Sequence, residues 1–386
     1  MQFKYVFTMH PISFKPIKEL FSKEEVNHGR QTELDIAKVI LLFFMVCCNC
    51  ILSLSRFGDG CEISNTIFHT IAECFGPAGF MFCMGAGLVY SRKTTPKAII
   101  KRGFMLFLIG IALNFVCYVI PYLILGWTSG DMEYFSSAYA LFWILDILHF
   151  AGLALILFGV LKWMKATNLQ IAVISIIMSI IGTLFRDYNF GIPEVNQLVG
   201  LFIGTVSIGE FENSFPLFSW FIFVAAGYFF GQFLSRCKDK KTFYLYITPI
   251  ALVIAVIYST VAFIHRFGMF GPSSVYHLAT FEAFISLLGA IALIGICYFI
   301  SGYLPGLVCA AITSISKNVT AVYCIHWVLL EWIIDIPLGV VLNILGLIND
   351  LQFILMATGI FAASVLAAEV YSRWKIKIKN SKQVKC

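Results

Sequence analysis

Ten apolar runs, each near the length a helix needs to cross a bilayer, alternate along the chain with short polar segments. They cover residues 35–55, 67–91, 104–125, 137–161, 169–185, 216–235, 243–264, 279–302, 318–337 and 351–372. A helix rises 1.5 Å per residue and a hydrocarbon core is about 30 Å thick, so about twenty apolar residues make one crossing. The pattern predicts an all-α fold: a polytopic membrane helical bundle of about ten transmembrane helices. Two shorter stretches stand apart. "NQLVGLFIG", in the long segment from Arg186 to Phe215, is too short to cross and reads as re-entrant or surface-lying. Pro305 to Lys317 reads as a short interfacial helix.

Composition agrees with this reading. The chain is 60% hydrophobic and 12% charged, with a mean hydropathy of +0.88. Soluble domains carry about 45–50% apolar and about 25% charged residues, so a water-soluble globule is excluded. Residues 1–34 hold scattered charges and no apolar core, unlike a secretory signal. The expected organisation is an N-terminal polar segment (1–34), a membrane domain (35–372) and a basic tail (373–386). Heptads, low-complexity tracts and a visible inverted repeat are absent from the sequence.

Charge assigns the sides. If the N-terminus is cytoplasmic, the inner segments hold 23 of the 27 Lys and Arg residues. The outer segments then hold Arg56, Arg186 and Arg266, and Lys38 lies just inside the first run. This asymmetry predicts that both termini are cytoplasmic. The net charge of +6 is accounted for by topology and attraction to anionic lipid, so no nucleic-acid partner is expected. The twelve cysteines mostly lie inside apolar runs, as Cys47, Cys48, Cys50, Cys74, Cys83, Cys117, Cys297 and Cys324 do, which suits small packing residues.

Ionisable groups at membrane depth cost roughly 2.5–3.5 kcal/mol each on insertion scales, and so tend to face a protein interior or a wet cavity. This chain places Glu73, Asp146, His149, Glu282, His326, Glu331 and Asp335 inside its runs, with Asn49 and Asn114 as uncharged companions. His69 and His277 lie near the ends expected to face outward. His69 and Glu73, four apart, share a helical face, as Asp146 and His149 do at a spacing of three. A carboxylate beside an imidazole orients it and stabilises its protonated form, which suits a general base. The same pairs can instead lock helices by hydrogen bonding. His10 and His28 read as solvated, and His265 beside Arg266 as interfacial. Neither zinc-type spacing nor GxxxxGK[ST], GxGxxG or GxSxG occurs, so no metal is expected. Gly85 and Gly87 in "MGAGLVYSRK" read as small residues for close helix contact.

The opening spans, "ELDIAKVILLFFMVCCN … FGPAGFMFCMGAGLVYSRK", resemble the transmembrane acyltransferase superfamily. That group joins the acyltransferase-3 proteins and the heparan-α-glucosaminide N-acetyltransferase-like proteins. The shared pattern is a Leu-Asp pair, a basic residue, an apolar stretch and a polar residue: here Leu34, Asp35, Lys38 and Asn49. Acyltransferase-3 members carry Arg and His at the last two positions. Asn is typical of the heparan acetyltransferase-like branch, whose catalytic histidine comes farther on, before the second span. Only His69 fits that description, at a wider spacing from Asn49 than in the branch. "DILHFAGLALIL", "FPLFSWFIFVAAGYFFG" and "SKNVTAVYCIHWVLL" extend the likeness over about residues 30–335.

The resemblance implies an enzyme that passes an acyl group, usually acetyl, from cytoplasmic coenzyme A to a hydroxyl or amine outside, commonly on a sugar. Lys38, Arg92, Lys93, Lys97, Lys101 and Arg102 would then meet the phosphates of acetyl-CoA. His69 would be the base, Glu73 its orienting partner and Asn49 an oxyanion donor. Asp146, His149, His277, Glu282 and His326 would line a passage or proton path, in a tunnel open at both ends. The basic segments also serve topology alone. The principal alternative is a proton-coupled secondary transporter using the buried carboxylates. Composition suits an integral protein of a bacterial cytoplasmic membrane, with lipids as partners and a homodimer left open. The one NxT sequence, at Asn318, falls at the cytoplasmic edge.

Overall fold

The computed structural model describes residues 17–55, 61–92, 94–206, 214–264, 276–342 and 348–383; the side chains of residues 69–75, His69 and Glu73 among them, lie outside that set. Among the described residues, regular structure is helical apart from isolated bridge positions, the antiparallel pair Phe21 and Cys237 among them. The helices are α1 (Thr32–Ser55), α2 (Glu62–Val89), α3 (Pro96–Asn114), α4 (Ile120–Ser129), α5 (Glu133–Phe142), α6 (Ile147–Trp163) and α7 (Asn168–Phe185). They continue with α8 (Pro193–Ile203), α9 (Leu217–Arg236), α10 (Lys240–Ile264), α11 (Thr280–Ser301), α12 (Gly306–Lys317), α13 (Val319–Leu329) and α14 (Asp350–Gln383).

Eight described helical stretches are long and apolar enough to cross a membrane. The expected second run lies on α2, whose apolar part is Gly76–Val89, and the fourth ends in the 17-residue α6. The two segments too short to cross form α8 and α12.

α9 is the axis of the bundle. Of its most apolar window, 72% is buried within the protein, against 17% for α10, which turns residues such as Ile250, Val253 and Ile257 outward. Lipid tails are as apolar as a leucine, so helices in a membrane associate by close packing rather than by escape from water. The α2–α9 contact shows this. A Cβ on Gly227 would sit 2.0 Å from the Phe82 carbonyl oxygen, and one on Gly85 would sit 2.1 Å from that of Val224. The two backbones therefore touch, as expected for Gly85. Gly87 instead lies beside Lys38, where a Cβ would be 3.9 Å from Nζ.

The expected fourth span, 137–161, is not continuous. α5 ends at Phe142, residues 143–146 are irregular, and α6 begins at Ile147. Asp146 is extended (φ −110°, ψ 179°), so it does not share a helical face with His149. Each carbonyl exposed by the break finds a donor. The Asn114 amide donates to Phe142 O at 3.0 Å and to Ile144 O at 2.7 Å. Gln197 donates to Trp143 O, and the Ser214 N–H to Leu145 O at 3.1 Å. Such pairing is what allows irregular backbone at membrane depth. Two wider π-helical segments, 115–119 and 330–341, flank the same region. Pro121 follows the first closely and Pro337 lies in the second. A proline ring crowds the carbonyl four residues back and loosens the turn. Trp332 Nε1 in one segment donates to Val116 O in the other at 2.9 Å.

Gly227→Ala is expected to lower the unfolding midpoint of the detergent-purified protein, with an overpacking cost of about 1–3 kcal/mol. Gly359→Ala on α14, where a Cβ would meet open space, is expected to hold or raise it by about 0.4–1 kcal/mol. Identical thermal melts for the two variants would remove the α2–α9 contact from this account.

Candidate functional site

A cavity of about 740 Å³ opens where α1 begins, walled by α1, α2, α3, α6 and α13. That lies within the roughly 300–1,000 Å³ typical of small-ligand pockets. Five cations line it: Arg30, Lys38, Arg92, Arg102 and Lys317. Asp35 is the carboxylate in the wall, and it is paired with Arg30. The other four cations make no ion pair among the described residues. Tyr90 also lines the wall, its hydroxyl donating to the Gly231 carbonyl at 3.4 Å.

Of the six cations singled out in the sequence, Lys38, Arg92 and Arg102 line this cavity. Lys97 and Lys101, one turn apart on α3, are not part of this wall, because a neighbouring residue on a helix is rotated by about 100°. Lys93 lies outside the described residues. Arg30 and Lys317 are additions that the apolar pattern does not point to, since both stand outside the spans.

Tyr323 of α13 and Ile147, Leu148 and Ala151 of α6 line the part of this cavity that those two helices form. A second, smaller cavity of about 90 Å³ is lined in part by Asn49, Ser53, Asn114, Tyr118, Asp146, Trp327 and Asp335. The expected single tunnel is thus two chambers with a partition. The Tyr323 hydroxyl donates to the Asp146 carboxylate across it, one residue lining each chamber. Ser53 likewise donates to Asp335. The first chamber begins near Asp35 and the second includes Asn49, fourteen residues along α1, or about 21 Å at 1.5 Å per residue.

Beside the partition, the Asn49 amide nitrogen lies 2.9 Å from His326 Nε2. His326 is fully buried. As placed, Nε2 accepts from Asn49, so the ring proton sits on Nδ1. Nδ1 is turned toward the carbonyls of Val322 and Tyr323 without a well-formed hydrogen bond. The result is a neutral imidazole that itself lines neither chamber and whose basic nitrogen is held by the amide of Asn49, which lines the second. This pairing joins residues 277 apart in sequence, and no local spacing announces it.

The remaining candidates do other work. His149 Nδ1 accepts from the Asp146 N–H at 3.2 Å, and its ring lies edge-on to Phe107 at 5.3 Å between centroids. A Cβ on Gly110 would come within 2.9 Å of that ring. His149 thus fixes the start of α6 and lines neither chamber. His277 Nδ1 lies 2.7 Å from Asp187 Oδ1, and Glu282 accepts from the Ala279 N–H at 2.7 Å and faces Arg186 at 3.6 Å. These contacts tie the segment after α7 to the start of α11. Neither His277 nor Glu282 lines a chamber. His69 and Glu73 stand four apart on α2, with side chains outside the described set; His265 and Arg266 lie outside the described residues. Among the described residues, no group of three or more His, Cys, Asp or Glu could hold a metal ion.

A family model described as heparan-α-glucosaminide N-acetyltransferase, catalytic, matches residues 30–260, more than half of the chain. No curated protein and no solved structure matches.

Tyr323→Phe removes the hydroxyl that reaches a carboxylate at depth. It is expected to lose about 1–3 kcal/mol of stability, the usual cost of depriving a buried acceptor of a donor. Thermal unfolding in detergent reads this directly; an unchanged midpoint would mean that the partition rests on other contacts.

Proposed function

The chain belongs to the heparan-α-glucosaminide N-acetyltransferase catalytic family, and from that membership we propose a membrane acetyltransferase that draws on acyl-CoA at its basic end. The acceptor, a hydroxyl or amine of a sugar or glycan, enters from the opposite end. In this reading the basic end is cytoplasmic, the acceptor is extracytoplasmic, and the membrane is a bacterial cytoplasmic membrane. The observation that carries the proposal is the 740 Å³ cavity with four cations lacking ion-pair partners among the described residues, whose wall residue Tyr323 donates to Asp146 of the smaller cavity that Asn49 lines. A ligand fitting that wall carries several negative charges at one end, as coenzyme A does with its phosphates.

The chemistry follows from the partition. The acyl thioester reaches Tyr323 from one chamber, and the acceptor occupies the other beside Asn49 and Asp146. His326 Nε2 takes the proton from the acceptor O–H or N–H as that atom attacks the thioester carbonyl. The new C–O or C–N bond forms, the C–S bond breaks, and the thiolate leaves to be protonated. The Asn49 amide, which holds Nε2 beforehand, is then free to donate to the carbonyl oxygen as negative charge develops on it. Tyr323 and Asp146 shape the meeting point and keep bulk water from the thioester.

The break between α5 and α6, with carboxylates nearby, is also the form of a secondary transporter's site. A transporter would move substrate without an acyl donor and would not need the cationic wall.

His326→Ala is expected to cut acetyl transfer by about 10²–10⁴-fold, the range for a general base. Asn49→Ala is expected to cost about 10²–10³-fold, the range for an oxyanion donor. Acetyl-CoA binding, measured by calorimetry on the purified protein, should persist in both. Transfer that survives His326→Ala but is lost in His69→Ala would move the base to α2. Failure of the native protein to bind acetyl-CoA at millimolar concentration would end the acyl-CoA reading.

A further inference from the structure

The segment before the first span is not a loose tail. Ile17–Leu20 forms a 3₁₀ turn, and the chain then runs across the end of α9. The N–H groups of Ser22, Val26 and Asn27 donate to the carbonyls of Arg236 and Ser235, at 2.8, 2.7 and 2.9 Å. The Asn27 side chain donates to Leu234 O at 2.9 Å and also to Cys237 O. These are the carbonyls that a helix C-terminus leaves unpaired, so the strap is the cap of α9. Leu20 is fully buried and Phe21 packs against Phe233 and Phe243. Lys240 closes the far side, reaching Gln31 and Glu33 at 2.5 Å each.

Past Asn27 the chain turns at Gly29, with φ at +82°, a conformation that suits glycine. The turn delivers Arg30 to the rim of the large cavity. There Arg30 is gripped from behind. Its Nε donates to Asp35 Oδ2, and its Nη2 donates to Asp35 Oδ1 at 3.0 Å and approaches Thr313 O at 3.4 Å. Asp35 is 3% exposed and also accepts from Ser316 on α12 at 2.7 Å. The Arg30 side chain stays 40% exposed. One edge of the guanidinium is thus fixed by a buried carboxylate, and Nη1 stands outside that grip on a residue that lines the cavity.

We propose that Arg30 is a phosphate ligand for the donor, and that Asp35 is the residue that positions it. This rests on the acyl-CoA reading above. A guanidinium held by a buried carboxylate is preorganised, so less side-chain freedom is lost when it binds a phosphate. Four further cations around the same space leave the pair in a strongly positive field. The chemistry recognised is a phosphomonoester or diphosphate. Coenzyme A, a phosphopantetheine group on a carrier and an anionic lipid headgroup all share it, and the proposal commits to the nucleotide phosphates of coenzyme A.

The test is calorimetric titration of the purified full chain in detergent without added lipid. The probes are coenzyme A, dephospho-coenzyme A, 4′-phosphopantetheine and unphosphorylated pantetheine, applied to native protein, Arg30→Gln, Arg30→Lys and Asp35→Asn. Arg30→Gln should weaken coenzyme A by about 10–100-fold, as expected for loss of a charged hydrogen bond. Arg30→Lys should recover part of that, and pantetheine binding should not change. Asp35→Asn should weaken coenzyme A in the same direction, with the double variant no worse than Arg30→Gln alone. In turnover, Arg30→Gln should raise KM for the donor and leave kcat. Native affinity in Arg30→Gln, or equal losses for all four probes, would overturn the proposal. In a separate titration with phosphatidylglycerol, loss of lipid binding in Arg30→Gln with coenzyme A binding intact would also overturn it and make the occupant a lipid. If Asp35→Asn fails to fold, Arg30→Gln decides alone, because the strap remains anchored by Asn27. A native protein that binds no coenzyme A would overturn the acyl-CoA reading and this proposal with it, whereas native binding that Arg30→Gln leaves unchanged overturns this proposal alone.

Discussion

In hydrocarbon a carbonyl without a donor costs several kcal/mol, and the gap between α5 and α6 exposes four in succession. Their pairing with Asn114, Gln197 and the Ser214 backbone makes the gap tenable. Much else depends on it. The gap leaves Asp146 extended rather than helical, where it receives the Tyr323 hydroxyl. It lets His149 serve as the clip that starts α6. It also brings Ile144 and Asp146 to the wall of the second chamber. Were α5 and α6 one rod, Asn114 and Gln197 would lose their partners and Tyr323 would face a different side of the helix.

The bundle was legible in the sequence because its signals are local. Apolar length marks the spans, and the Lys and Arg bias separates the basic segments from the rest. The break in the fourth span was not legible, because no Gly or Pro lies between Ser137 and Ala151, on either side of it, and the apolar run continues past the turn. The donors that sustain it come from α3, α8 and the segment before α9. The site was legible in part. Polar residues at depth pointed to Asn49, Asp146 and His326, yet their grouping depends on how α1, α6 and α13 cross. Glu282 and His277 looked similar on paper, but each turns out to be satisfied within a clasp at the bundle's end. Among the basic residues, sequence proximity favoured Lys97 and Lys101. The structure favours Arg30 and Lys317, because helix phase and a capping strap decide which cations reach the cavity.

The family match spans residues 30–260, α1 through most of α10. That region supplies most of the large cavity's wall, together with Asn49 and Asp146. Tyr323, His326 and Asp335 come from α13 and the π segment after it. The geometry therefore needs both parts of the chain: the matched part shapes the basic chamber, and α13 supplies the phenol that lines it and the imidazole that pairs with Asn49. The wider π turns place Cys117 and Tyr118 on one side of the second chamber and Asp335 on the other, consistent with the frequent use of such distortions at functional sites.

The partition between the chambers has an electrical consequence. A protein that joins the two faces of a bilayer through aqueous recesses risks becoming a leak for protons and small ions. Here one contact that spans the insulating layer is a phenol bound to its carboxylate partner, one residue from the lining of each recess. Opening that seam only when an acyl chain fills it would let chemistry cross while the ion gradient stays intact.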